Sequence, residues 1–109
     1  MLFRSHFSKG TPKTWNHKPV NEMHNFIQAP ICMGKERTKH KTQKPLKVCL
    51  PFIEISSNEG DVVLDPFIGS GSTAVAAKML NRNFIGYELN AEFCEIANQR
   101  LSNTPTHSR

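Results

Sequence analysis

The 109 residues include one Trp, one Tyr and three Cys. Cys32, Cys49 and Cys94 are odd in number and far apart, with no Cys-x-x-Cys pair, so three reduced thiols are expected rather than a zinc site. His6, His17, His24 and His40 share no ligand spacing, and no metal is expected. No apolar run approaches the ~18 residues of a membrane-spanning helix. The first six residues lack the charged-then-apolar pattern of a signal peptide. A cytoplasmic protein without a membrane partner is the expectation. Internal repeats are absent too. Acidic residues are scarce in the front half: residues 1–48 hold ten Lys/Arg against two acids (+8), and residues 49–109 hold four against seven (−3), which sums to the net +5. A basic front on a mildly acidic back suits contact with a polyanion, or else a solvated basic arm. At 38% hydrophobic and 21% charged the composition is globular, sized for one small domain.

Along the chain, residues 1–25 show no clean period and are broken by Gly10, Pro12 and Pro19, so they read as loop or extended chain. Phe26 to Ile31 reads as a short strand ended by Pro30, and residues 33–44 as a polar basic loop. Pro45 stands where a first helical residue should. Leu46, Cys49, Leu50 and Ile53 follow at helical spacing as one apolar face, and Pro51 is expected to kink or shorten that helix. Residues 58–61, Asn-Glu-Gly-Asp, form a turn. Val62 to Leu64 is wholly apolar, as in a strand buried on both faces. A glycine-bearing loop over 65–71 leads to an alanine-rich helix, capped by Ser72 or Thr73 and running to about Asn81. Phe84 to Tyr87 is a second strand ending at Glu88. Asn90 caps a last helix with Phe93, Ile96, Ala97 and Leu101 inward, and the tail from Asn103 frays. Strands alternating with helices indicate an α/β fold with a parallel sheet.

Strand, glycine loop, helix, strand, acid is the strongest local signal. Gly69 and Gly71 permit a sharp turn close to a ligand, and the free N–H groups of the next helix point at it. Glu88 ends the second strand, 23 residues after Asp65. A carboxylate there accepts hydrogen bonds from both hydroxyls of a ribose. These pieces suit an adenosine-containing cofactor, and residues 69–74 fit the dinucleotide fingerprint G-x-G-x-x-G/A. A nicotinamide or flavin cofactor competes on that motif. Two features argue against it. Asp65 and Pro66 separate the strand end from the glycines, and the Asp65 anion suits a cationic cofactor rather than a pyrophosphate. The run Thr42-Gln43-Lys44-Pro45, at the start of the preceding helix, can also point into the pocket.

Residues 40–45 (His-Lys-Thr-Gln-Lys-Pro), 65–73 (Asp-Pro-Phe-Ile-Gly-Ser-Gly-Ser-Thr) and 85–90 (Ile-Gly-Tyr-Glu-Leu-Asn) together resemble the prokaryotic DNA methyltransferases that modify exocyclic amino groups, in order and with natural spacing over about residues 36–102. The resemblance implies a partial Rossmann-like fold that binds S-adenosyl-L-methionine, with parallel strands flanked by helices. It implies that Thr42, Gln43 and Lys44 lie beside the methionine part of the cofactor. Asp65, Phe67, Gly69, Ser70, Gly71 and Ser72 belong to the loop that wraps it, and Glu88 holds the ribose hydroxyls. It further implies methylation of adenine N6, favoured over cytosine N4, in double-stranded DNA, as in restriction-modification. Three of these residues also have a plain structural use: Thr42 and Gln43 in helix capping, Phe67 in core packing.

The sequence departs from that family at the reaction itself. The family's catalytic motif is Asp, Asn or Ser, then Pro-Pro, then an aromatic stacked on a flipped base. None of the seven prolines here is next to another. No catalytic residue is therefore assigned, and a carboxyl-terminal fragment or one half of a split enzyme is expected. Its partner would be a complementary chain carrying the motif, or a second copy by self-association. An inactive remnant that binds only cofactor or nucleic acid is the alternative. The expected organisation is a basic segment over 1–41, left from a target-recognition region, a cofactor-binding part over 42–103 and a flexible tail over 104–109. Trp15, Phe3, Phe7 and Phe26 lie among the basic residues, where they stack on or skirt DNA or else form a piece of core.

Overall fold

The structure is a computed structural model and describes residues 2–3, 10–11, 13–16, 26–27 and 43–106. Most of the basic segment, including Cys32, Phe7 and the four histidines named above (His6, His17, His24 and His40), lies outside the described residues, as does Thr42. Two short strands frame that segment: β1 (Leu2–Phe3) pairs antiparallel with β2 (Phe26–Ile27). The expected strand at Phe26 is thus present at its start, and the loop expected over 1–25 begins in a two-residue strand.

α1 (Leu46–Ser56) starts after Pro45, whose extended backbone (φ −62°, ψ 143°) makes it the cap rather than the first helical residue. The helix continues through Pro51 to Ser56, so the proline does not end it as a shortened helix would. Proline removes one N–H and crowds the carbonyl four residues back, which here belongs to the exposed Lys47, free to turn toward water. Cys49 and Ile53 are buried, with Leu46 and Leu50 packed beside them, and Val48 is buried as well.

β3 (Val62–Asp65) and β4 (Asn83–Gly86) pair in parallel, Val63 beside Phe84 and Leu64 beside Ile85. α2 (Ser72–Met79) crosses between them and packs against α1, both strands and α3 (Ala91–Ser102). Small side chains set that closeness: Ala76 and Ala77 meet Cys49 and Ile53 in the core, with Val63, Leu80 and Phe84 around them. α2 ends with Asn81 in the left-handed conformation (φ 59°), the Arg82 amide bonded to the Ala77 carbonyl and the Asn81 amide to that of Lys78, a Schellman closure. Arg82 then donates through Nε to Ser57 Oγ and through Nη2 to the Ser57 carbonyl. Asn16 donates through Nδ2 to the carbonyls of Glu54 and Ser57. The Glu54 and Ser57 carbonyls at the end of α1 are satisfied in this way, and Arg82 ties the amino end of β4 to it.

The expectation of a β3 strand buried on both faces is corrected. Val63 faces the core, whereas Val62 and Leu64 are 58% and 62% exposed, and Ile85 and Tyr87 beside them are exposed too. Among the described residues the sheet has two strands, and the helices that pack on it leave its other face open. The second strand also ends a residue early, at Gly86, although the Tyr87 amide still reaches the Asp65 carbonyl at 3.1 Å.

Candidate functional site

The carboxyl ends of β3 and β4 open onto the glycine loop. Ile68 bonds through its amide to the Tyr87 carbonyl at 3.0 Å, so the loop is stitched to the end of β4, one residue before Glu88. A Cβ on Gly86 would overlap the Ile68 side chain, which makes the bare glycine the seat for that contact. Gly69 (φ 58°) turns the chain back, and the Gly71 amide closes the turn on the Ile68 carbonyl at 2.9 Å. Gly71 (φ 87°) is the cap of α2, with no side-chain cap bond. The expected capping by Ser72 or Thr73 does not occur, because Thr73 Oγ1 donates instead to Asp65 Oδ2 at 2.7 Å and Ser72 Oγ accepts from Arg100.

Between this loop and the start of α1 lies a cavity of about 220 Å³, lined by Gln43, Lys44, Phe67, Ile68, Gly69, Ser70, Ser72 and Thr73. Six of the ten residues singled out in the sequence therefore share one cavity, drawn from two stretches over twenty residues apart. Ile68 and Thr73 also line it without having been singled out. The helical order Ser72–Met79, which puts Thr73 in the first turn, was the available signal for Thr73. Phe67 is 85% exposed at the mouth, so it is not core packing.

The other four sit elsewhere. Thr42 lies outside the described residues. Asp65 turns both oxygens inward, Oδ1 accepting from the Phe67 amide at 3.0 Å and Oδ2 from Thr73, and so shapes the loop from beneath. Gly71 makes its close approach to α3 rather than to the cavity: a Cβ there would lie 2.8 Å from the Ala97 Cβ. Glu88 stands just past β4, its Oε2 accepting from the Asn90 amide at 3.3 Å. Asn90 caps α3 as expected, its Oδ1 accepting from the amides of Glu92 and Phe93.

A sequence profile of the DNA methylase family of N6/N4 type matches residues 4–99, most of the chain. The chain belongs to that family. Among curated methylases it is 49% identical over 76 residues to the type II methyltransferase M.HpaI of Haemophilus parainfluenzae, covering 70% of this chain and 24% of that protein. It is 39% identical over 101 residues to M.HinfI of Haemophilus influenzae, covering 81% of this chain and 28% of that protein. The chain thus spans about a quarter of the length of the curated relatives it matches. Among solved structures it resembles the M1.HpyAVI–SAM complex at a TM-score of 0.70 and 45% identity, over 81% of this chain and 43% of that one. TTHA0409 of Thermus thermophilus, complexed with S-adenosyl-L-methionine, matches at 0.56 and 35% identity over 59% of this chain and 27% of that one. The fold is that of the methylase family, α/β with parallel strands between helices.

Proposed function

We propose that residues 42–103 are the S-adenosyl-L-methionine-binding part of a DNA methyltransferase acting on the exocyclic amino group of adenine, or of cytosine. The observation that carries this reading is the cavity between Gln43–Lys44 and the 67–73 loop, a loop that Ile68 stitches to the end of β4 one residue before Glu88. The residues fit such a cofactor. A cavity of about 220 Å³ is below the roughly 300–1,000 Å³ of pockets that enclose whole ligands, so it receives one part of the molecule and leaves the rest along the open loop toward Glu88. Glu88 uses Oε2 on the Asn90 amide, and no described group engages Oε1, which suits a ribose hydroxyl donor. The first amides of α2 have no partner within the helix and remain available to a polar ligand. Phe67 offers an exposed ring at the mouth.

When bound, the cofactor supplies a methyl group on a sulfonium, already activated toward an amino nitrogen. The contribution of this chain is to hold and orient it, and positioning of that kind is a large part of such catalysis. The basic segment over 1–41 contacts the DNA backbone. A Pro-Pro-aromatic catalytic loop, absent from these 109 residues, comes from a complementary chain. Calorimetry with S-adenosylmethionine, S-adenosylhomocysteine and NAD tests the first part: the first two bind and NAD does not, and tight NAD binding with no S-adenosylmethionine binding would end the reading. Transfer of labelled methyl groups to DNA tests the second, with both N6-methyladenine and N4-methylcytosine assayed. The chain alone transfers none, and transfer by the pure chain would show that the catalytic loop is not required from elsewhere.

A further inference from the structure

α3 grips the glycine loop from behind through two residues one turn apart on the same face, Ala97 and Arg100. Ala97 takes the bare backbone of Gly71, where an added Cβ would sit 2.8 Å from the Ala97 Cβ and 3.1 Å from its Cα. Arg100 takes the residues on either side: its Nη1 lies 2.9 Å from the Ser70 carbonyl, 3.2 Å from Ser70 Oγ and 3.1 Å from Ser72 Oγ. Both serines are buried, at 3% and 5% exposure, and both line the cavity. The peptide between Ser70 and Gly71 is therefore pinned at both ends, its carbonyl by Arg100 and its N–H by the Ile68 carbonyl. The place of this cation is informative. It stands at the amino end of α2, where that helix's field disfavours positive charge, and in the last turn of α3, whose field favours it, so the charge serves α3 and the loop bonds rather than the stability of α2.

We infer that Arg100 is a positioning residue for cofactor binding, acting through Ser70 and Ser72 to hold the Ser70–Ser72 segment in the shape that forms the cavity wall. This rests on the cofactor reading above. All three contacts come from Nη1, so lysine at 100, with its charge and three donors on one nitrogen, replaces part of them, whereas glutamine loses the charge.

The test is calorimetry with S-adenosylmethionine on the full chain and on Arg100→Lys, Arg100→Gln, Ser72→Ala and the Ser72→Ala/Arg100→Gln double variant. Hydrogen exchange of the same proteins without ligand accompanies it. Arg100→Gln is expected to weaken binding at least tenfold and Arg100→Lys by less. The double variant should lose less than the product of the two single losses, because both remove the same bond. Exchange should quicken at the amides of residues 70–73 while the α1 core amides, at Cys49 and Ile53, keep their protection. Unchanged affinity in a folded Arg100→Gln chain would overturn the inference. So would fully multiplicative losses, or losses matched by equal deprotection of α1. If Arg100→Gln does not fold, Arg100→Lys with its own Ser72→Ala double variant decides by the same coupling. Absence of S-adenosylmethionine binding by the unsubstituted chain overturns the cofactor reading itself, whereas binding that ignores position 100 overturns only the role of Arg100.

Discussion

Gly60 and Gly71 have nearly the same φ, 86° and 87°, but different surroundings. A Cβ on Gly60 meets nothing within 4 Å, whereas one on Gly71 meets Ala97 at 2.8 Å. Gly60→Ala therefore incurs only the left-handed backbone term, about 1–2 kcal/mol. Gly71→Ala adds overpacking against α3, a further ~1–3 kcal/mol. Denaturant melts of the two variants should differ accordingly, and equal losses would show that Ala97 yields freely. At the site, Glu88→Ala is expected to weaken S-adenosylmethionine binding by about 1.5–3 kcal/mol, the scale of a hydrogen bond to a charged group, or roughly 10- to 150-fold by calorimetry. An unchanged affinity would remove Glu88 from the site. The part of the site that could be read residue by residue was the part where residue type dictates use, as with the turning glycines and the cap Asn90. Asp65 was legible as an anion but not in its direction, because only the folded loop aims its oxygens at Phe67 and Thr73. Arg100 carried no signal, since its acceptors lie 28 and 30 residues away.

Among the elements, α1 departs most from its sequence pattern. Its apolar spacing is plain, and Leu46, Cys49, Leu50 and Ile53 do pack on α2. Pro51 argued for a kink or a shorter helix, and the packing keeps the helix going to Ser56: burying Val48, Cys49 and Ile53 on one continuous helix outweighs one lost hydrogen bond. Replacing that proline should then relieve a cost the fold has accepted. Pro51→Ala restores an N–H for the Lys47 carbonyl and is expected to stabilise the chain by about 1–3 kcal/mol. For a domain of this size that is roughly 4–8 °C in Tm for each kcal/mol. A lower Tm would mean that Pro51 does something other than interrupt, such as restricting the unfolded chain. α2 and α3 were easier to place, since alanine content, Asn81 and Asn90 mark their course and ends locally.

For the whole molecule, the open face of the β3–β4 sheet sets the behaviour. Parallel sheets are ordinarily covered on both sides, and here Val62, Leu64, Ile85 and Tyr87 are exposed on one. Each such side chain gains roughly 1.5–3 kcal/mol on full burial, and unpaired strand edges invite another strand. The chain is therefore expected to associate with itself or with a complementary chain and to melt at low temperature alone. Sedimentation should show species larger than a monomer, and Leu64→Ser with Ile85→Thr should shift them toward monomer. A strictly monomeric sample with a sharp, cooperative transition above ~60 °C, in the upper range of complete mesophilic domains, would show that the open face is no liability.

The amino-acid sequence by itself determined the order of helices and strands from residue 45 to 102, the glycine loop and the family, because those depend on periodicity, caps and residue types read over a few neighbours. The tertiary structure alone decided which side of β3 is covered, that α1 continues past Pro51, and that Gln43 and Lys44 close a cavity with the 67–73 loop. It alone seated Gly71 and the two serines on Ala97 and Arg100. These are contacts between segments distant in the chain. Their partners are chosen by how the helices pack on the sheet, which no local pattern carries.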